Sequence, residues 1–301
     1  MRFPPLDRAA RRLRACAFSH AAAEMSGCAH TPGAMAASYR QLHPNLHGDL
    51  RKQWVRSFHG STIASWVRDD FFKRCPALEQ LFLNPLWEVV SESAVPMNWD
   101  DLADTIRIDD RPLDGITGKL TKSLLDRVDW PCFCVHLVLL QTRNRHFETY
   151  RLWLAKNFVS ISSWVCVQSP CVFISKEFKV QLLTALRNAP IEFRNNITWA
   201  EYSHCQQDVL QLLKLSSEAG WLSAQDQQLA LLWWNLSPAQ RRAELGRLYT
   251  ADDGTVRFPT AMSSATYQAW RRKRQCWLDH PIALNGFNCG FPSEGRLLRV
   301  A

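Results

Sequence analysis

The sequence predicts an α+β, helix-rich fold, with a small β-sheet over about residues 130–175 set among many helices. Two observations predict it. Apolar residues recur at three-to-four spacing from His47 to Arg127 and again after Ser175, the period of a helix that buries one face. Between these regions, "CFCVHLVLL" (Cys132–Leu140), "VSISSWVCV" (Val159–Val167) and "CVFIS" (Cys171–Ser175) are rich in β-branched and aromatic residues, the composition of buried strands.

The elements can be justified in chain order. A chain of 301 residues, 47% hydrophobic and 21% charged, can bury a large core. Residues 1–40 are rich in Arg, Ala and Ser and poor in acids. They lack the apolar core of a secretory signal and read as a disordered tail or a wrongly set start. Residues 41–128 form a helical region. There "GDLRKQWVRSF" and "STIASWVRDDFFKRC" set Trp54 and Trp66 among apolar neighbours, and Pro76 ends the second helix. Short helices follow in "PALEQLFL", "PLWEVVSE" and "NWDDLADTI". Residues 129–301 form an α+β region. Its first two strands enclose the helical "ETYRLWLAKNF", and helix resumes in "KEFKVQLLTALRNA". Asn157–Ser175 is uncharged and long enough to span a bilayer, but its serines and Pro170 make it a pair of strands and no membrane span.

The thirteen tryptophans are spread from Trp54 to Trp277, which makes them core anchors rather than one stacking platform. Ten cysteines at irregular spacing, without a secretory signal, read as reduced thiols of a cytoplasmic protein. The net charge of +8 is local: blocks 1–50, 151–200 and 251–301 carry +3, +4 and +3, and the rest is neutral or slightly acidic. A basic interaction is therefore expected from particular segments, not from the whole surface.

Residues 201–258 give the most definite supersecondary pattern. A helix over 201–217 precedes one over 224–234, capped by Ser223. A third follows at 239–248, where Ser237 and Pro238 supply an N-cap and first-turn proline. Two short strands then flank the turn Asp252–Asp253–Gly254. This order resembles a winged helix-turn-helix. The resemblance implies that Gln240, Arg241 and Arg242 lie on a recognition helix and Arg257 on the wing. The module itself carries a net charge of −2 over 199–258, which weakens its attraction for phosphates. A basic helix over 264–280 adds Arg271 and Arg272, the cations of "WRRKRQCW" that lie off its Trp270–Trp277 stripe.

Four groups of residues could carry chemistry. Cys132, Cys134 and His136 would share one face of a strand and could begin a zinc site, although no CxxC knuckle accompanies them. Glu177 and Lys179 follow the strand "CVFIS". With Asp129 or Asp126 upstream they resemble the core of PD-(D/E)xK nucleases, in which acids hold Mg²⁺ and a lysine helps activate water. Asp100, Asp101 and Asp104 have the DDxxD spacing of isoprenoid synthases, but they also sit where a helix N-terminus welcomes negative charge. His43 and His47 flank Pro44 and form a turn rather than a ligand pair. Walker A, GxGxxG, HExxH and GxSxG signatures are all absent. The function these observations favour is a non-enzymatic binding protein without a cofactor, its partner DNA or another protein. The alternative is a Mg²⁺-dependent phosphodiesterase using Glu177, Lys179 and an upstream aspartate.

Overall fold

The computed structural model describes residues 5–45, 48–92, 98–108, 110–113, 124, 127–128, 130–190, 202–218, 233, 236–247, 249–250, 256–257, 263–265, 268, 272, 282–284 and 287–288. Most of these are helical. The helices are α1 (Arg8–Met25), α2 (Pro32–Leu42), α3 (Leu50–Phe58), α4 (Ser65–Arg74), α5 (Pro76–Phe82), α6 (Leu86–Val89) and α7 (Trp99–Ala103). Then come α8 (Trp130–Gln141), α9 (Glu148–Cys166), α10 (Ser175–Ala185), α11 (Tyr202–Glu218) and α12 (Pro238–Leu245). The strands are two or three residues long: β1 (Arg107–Ile108), β2 (Arg111–Pro112), β3 (Tyr249–Thr250), β4 (Val256–Arg257), β5 (Ile282–Leu284) and β6 (Phe287–Asn288). They form an antiparallel sheet in the order β2-β1-β5-β6 and a separate β3–β4 hairpin.

The region expected to hold the sheet is helical instead. "CFCVHLVLL" lies in α8, "VSISSWVCV" falls mostly in α9, and "CVFIS" opens with a 3-10 turn at Cys171–Phe173 and runs into α10. The reason is burial on all sides. Cys132 through Thr142 are all buried, so α8 needs no polar face and shows no helical period for a pattern to reveal. A short, wholly apolar run fits a buried helix as well as a buried strand, and here tertiary packing decides. Phe133 of α8 packs against Phe158 of α9 at 5.7 Å and Phe178 of α10 at 6.3 Å. Among the described residues, no helix is long and apolar enough to cross a membrane.

The N-terminal segment also differs from its expectation as a tail. Residues 8–25 form α1, which contacts α3, α5, α6 and α10. Its buried face is built largely of alanine: Ala10, Ala15, Ala17, Ala21, Ala22 and Ala23, with Leu13 and Phe18. Small side chains let neighbouring helices approach closely. At the crossing with α3, the buried hydroxyls of Ser19 and Ser57 share a 2.6 Å hydrogen bond. Phe18 then meets Phe71, Phe72 and Phe82 edge-on. Asp7 caps the helix by accepting from the Ala10 amide at 2.8 Å. It also accepts from the Ser91 hydroxyl and the Glu92 amide, fastening the start of α1 beyond α6.

Several local readings hold. Pro76 separates α4 from α5 and serves as the first residue of α5. Trp54 and Trp87 are fully buried core anchors, whereas Trp66 is 45% exposed and does not serve as one. Asn98 caps α7, with Asp100 and Asp101 in its first turn. α12 opens on a complete capping box between Ser237 and Gln240.

Candidate functional site

A pocket of about 380 Å³ lies between α1 and α10. One wall is the α1 stripe Ala9, Arg12, Leu13, Cys16 and His20, spaced three and four apart so that all five face one way. The opposite wall is Ile174, Glu177, Val180 and Gln181, the matching stripe of α10 and its N-cap. Phe58 and His59, where α3 ends, close one side, and Phe173 closes another.

The lining is mainly apolar, and its polar groups are fixed by specific neighbours. His20 stacks on Phe173 at 4.4 Å with rings 6° from parallel, and meets the edge of Phe58 at 4.9 Å. His30 stacks on the same Phe173 at 4.1 Å. Burial, helped by the neighbouring His30, pulls the His20 pKa down to about 4, so its ring is neutral at pH 7. The Cys16 thiol donates to the Phe58 carbonyl at 3.3 Å. Burial raises its pKa, and it stays protonated. Arg12 lies against Gly60, which adopts φ +95°; a Cβ there would stand 2.0 Å from the Arg12 Cγ. Only glycine gives that stem room to pass along the rim.

Two buried atoms in the pocket lack partners. Gln181 is 7% exposed, and among the described residues its Oε1 accepts no hydrogen bond. The same is true of Nδ1 of His20. An unpaired buried polar atom costs roughly 1–3 kcal/mol.

The residues singled out from the sequence are placed as follows. Glu177 and Lys179 are on a helix instead of at a strand end, about 200° apart around its axis. Glu177 lines the pocket, whereas the Lys179 ammonium sits over the Tyr202 ring at 4.4 Å. The structure does not bring this acid and lysine together; Asp126 and Asp129 lie outside the described residues.

Cys132 and His136 become i, i+4 neighbours on α8, with Cys134 on another face. The His136 Nε2–H donates to the Arg127 carbonyl at 3.0 Å, and Nδ1 accepts from the Tyr150 hydroxyl at 3.0 Å. With both ring nitrogens engaged, no lone pair is open to zinc. No group of three or more metal-ligating side chains occurs among the described residues. Asp100 accepts from the Arg143 amide at 2.7 Å and the Asn144 amide at 3.0 Å, so it ties α7 to the turn after α8. His43 bonds Asp70, which also pairs with Arg74.

In the C-terminal module, Gln240 is spent on the capping box and Arg241 donates to the Leu236 carbonyl at 3.1 Å. Burial lowers the Arg241 pKa. Arg242 is exposed, and Arg257 pairs with Tyr249 in the β3–β4 hairpin. Of the second helix only Trp233 is described, and it is buried. Arg272 is exposed; Arg271, Trp270 and Trp277 lie outside the described residues.

Comparison with protein-family models, with curated proteins and with solved structures finds no match. The pocket therefore has to be interpreted from its own chemistry. Sequence reasoning missed Arg12, Cys16, His20 and Gln181. For the first three the signal was the 9–12–13–16–20 spacing, which becomes visible once residues 8–25 are read as a helix.

Proposed function

We propose that this chain is a non-enzymatic binding protein, and that the pocket between α1 and α10 holds a small, largely apolar molecule. The observation that carries the reading is the pocket itself: about 380 Å³ between α1 and α10, with a mainly apolar lining into which the two helices set a few polar side chains. A few placed polar groups in apolar surroundings make the usual small-ligand site. Two of the polar groups there support binding over catalysis. Cys16 is a protonated thiol bonded to a carbonyl, and His20 is clamped in an aromatic stack with its pKa near 4, far below that of a working base.

The test uses indole as a neutral probe. Calorimetry should detect indole binding to the wild type and none to Val180→Trp. Val180 is 59% exposed on the pocket wall, so the larger ring fills the space without disturbing the core. Equal binding by both proteins, or no binding by the wild type, would discard the reading.

A second reading is kept for the C-terminal segment, because the capped helix α12 is followed by the β3–β4 hairpin as a winged-helix-like module requires. In it Arg242, Arg257 and Arg272 meet DNA or an acidic partner protein. Salt-sensitive binding of duplex DNA that weakens in Arg242→Glu would support it, and unchanged binding would remove it. Both readings place the protein in the cytoplasm, where Cys75, Cys166 and Cys171 would persist as the buried thiols they are.

A further inference from the structure

We infer that the pocket's ligand is a free amino acid with an apolar or aromatic side chain, an inference that rests on the small-ligand reading above. Two opposite charges stand on opposite walls: Arg12 on α1 and Glu177 on α10. They form no ion pair with each other, and neither is paired with any described residue. Both nonetheless act on the same point, because Arg12 pulls the Cys16 thiol down while Glu177 pushes it up, beneath the larger effect of burial.

Between them the lining is apolar, from Leu13, Phe58, Phe173, Ile174 and Val180. A ligand that satisfies this arrangement carries an anion, a cation and an apolar body in one small molecule. The α-carboxylate then meets the Arg12 guanidinium and the α-ammonium meets the Glu177 carboxylate. The side chain takes the apolar volume beside Phe58 and Phe173. A dianion would confront Glu177, and a dication would confront Arg12, so each leaves a like-charge contact at the rim. The Gly60 turn against the Arg12 stem limits where that guanidinium can travel, which lowers the entropy lost when it grips a carboxylate.

The experiment is calorimetry on the full chain with three probes: L-phenylalanine, 3-phenylpropionate, which lacks the ammonium, and phenethylamine, which lacks the carboxylate. L-phenylalanine should bind, with each trimmed analogue weaker by about tenfold or more. Arg12→Gln should weaken L-phenylalanine by a similar factor and leave phenethylamine unchanged. Glu177→Gln should weaken L-phenylalanine and leave 3-phenylpropionate unchanged. Both positions are exposed, so the variants should keep the wild-type far-ultraviolet circular dichroism. If 3-phenylpropionate or phenethylamine binds the wild type as tightly as L-phenylalanine, the zwitterion assignment fails. Indole bound while L-phenylalanine is not would overturn the amino-acid assignment alone. Loss of both would overturn the pocket reading with it.

Discussion

Helices α1 and α8 are both buried at the centre of their neighbourhoods, and they reach that position by opposite means. α8 is buried on every side from Cys132 onward, with Phe133, Val135, Leu137, Val138, Leu139 and Leu140 all inaccessible. α1 begins with exposed Arg8, Arg11 and Arg12 and buries mostly alanine. Large side chains fill the space around α8, whereas small ones remove the space around α1. The difference teaches that burial is set by fit to the neighbours and not by hydrophobicity alone. It also bears on the pocket, since α1 is the helix that leaves one stripe, from Ala9 to His20, facing outward from its packing into a cavity.

The comparison breaks most sharply under truncation of α8. Phe133→Ala removes a ring held between Phe158 and Phe178 and leaves a cavity that rigid neighbours cannot close. Equilibrium urea denaturation should show a loss of about 3–5 kcal/mol. A loss under about 1 kcal/mol would mean that α8 is not the tightly packed centre described here.

The reverse substitution tests α1. Ala22 is fully buried, and Ala22→Leu adds volume where no space exists. Overpacking should cost about 1–3 kcal/mol in the same measurement, less than the truncation because α1 can shift slightly against α3 and α5. If the larger side chain is neutral or stabilising, α1 is loosely seated and its close approach is not what fixes the pocket wall.

The same contrast explains what could be read in advance. Punctuation was legible because its chemistry is local: Pro76 between α4 and α5, and Ser237 with Pro238 and Gln240 at α12. The two central helices were not. α8 and the last part of α9 carry β-branched and aromatic residues with no polar face, so neither period nor propensity distinguishes them from strands. α1 has the Arg-, Ala- and Ser-rich composition of a tail, although alanine is also the best helix former. That reading hid the five pocket residues that α1 contributes, from Ala9 to His20. Glu177 was named for a metal chemistry that needed a strand; on a helix it faces α1, away from Lys179. Gln181 gave no signal, because an amide becomes informative only when its burial and missing partner are known.

The smallest effect is expected at the cap that holds α1 in place. Burial pushes the Asp7 pKa up, but the hydrogen bonds from Ala10, Glu92 and Ser91 outweigh it, so the folded value lies below the ordinary carboxylate range. A depressed folded pKa stabilises the native state in full above the unfolded pKa of about 3.9. That contribution is lost as pH falls through the folded value. Asp7→Asn keeps a capping oxygen but has no charge for the Ser91 and Glu92 contacts. At pH 7 it should cost about 1 kcal/mol. The gap between wild type and variant should stay constant through neutral pH and shrink below about pH 4. A gap that persists undiminished to pH 2 would assign the cost to shape instead of charge. It would also mean that the start of α1 is held by its alanine packing alone, leaving the cap no part in positioning Arg12 one turn further on.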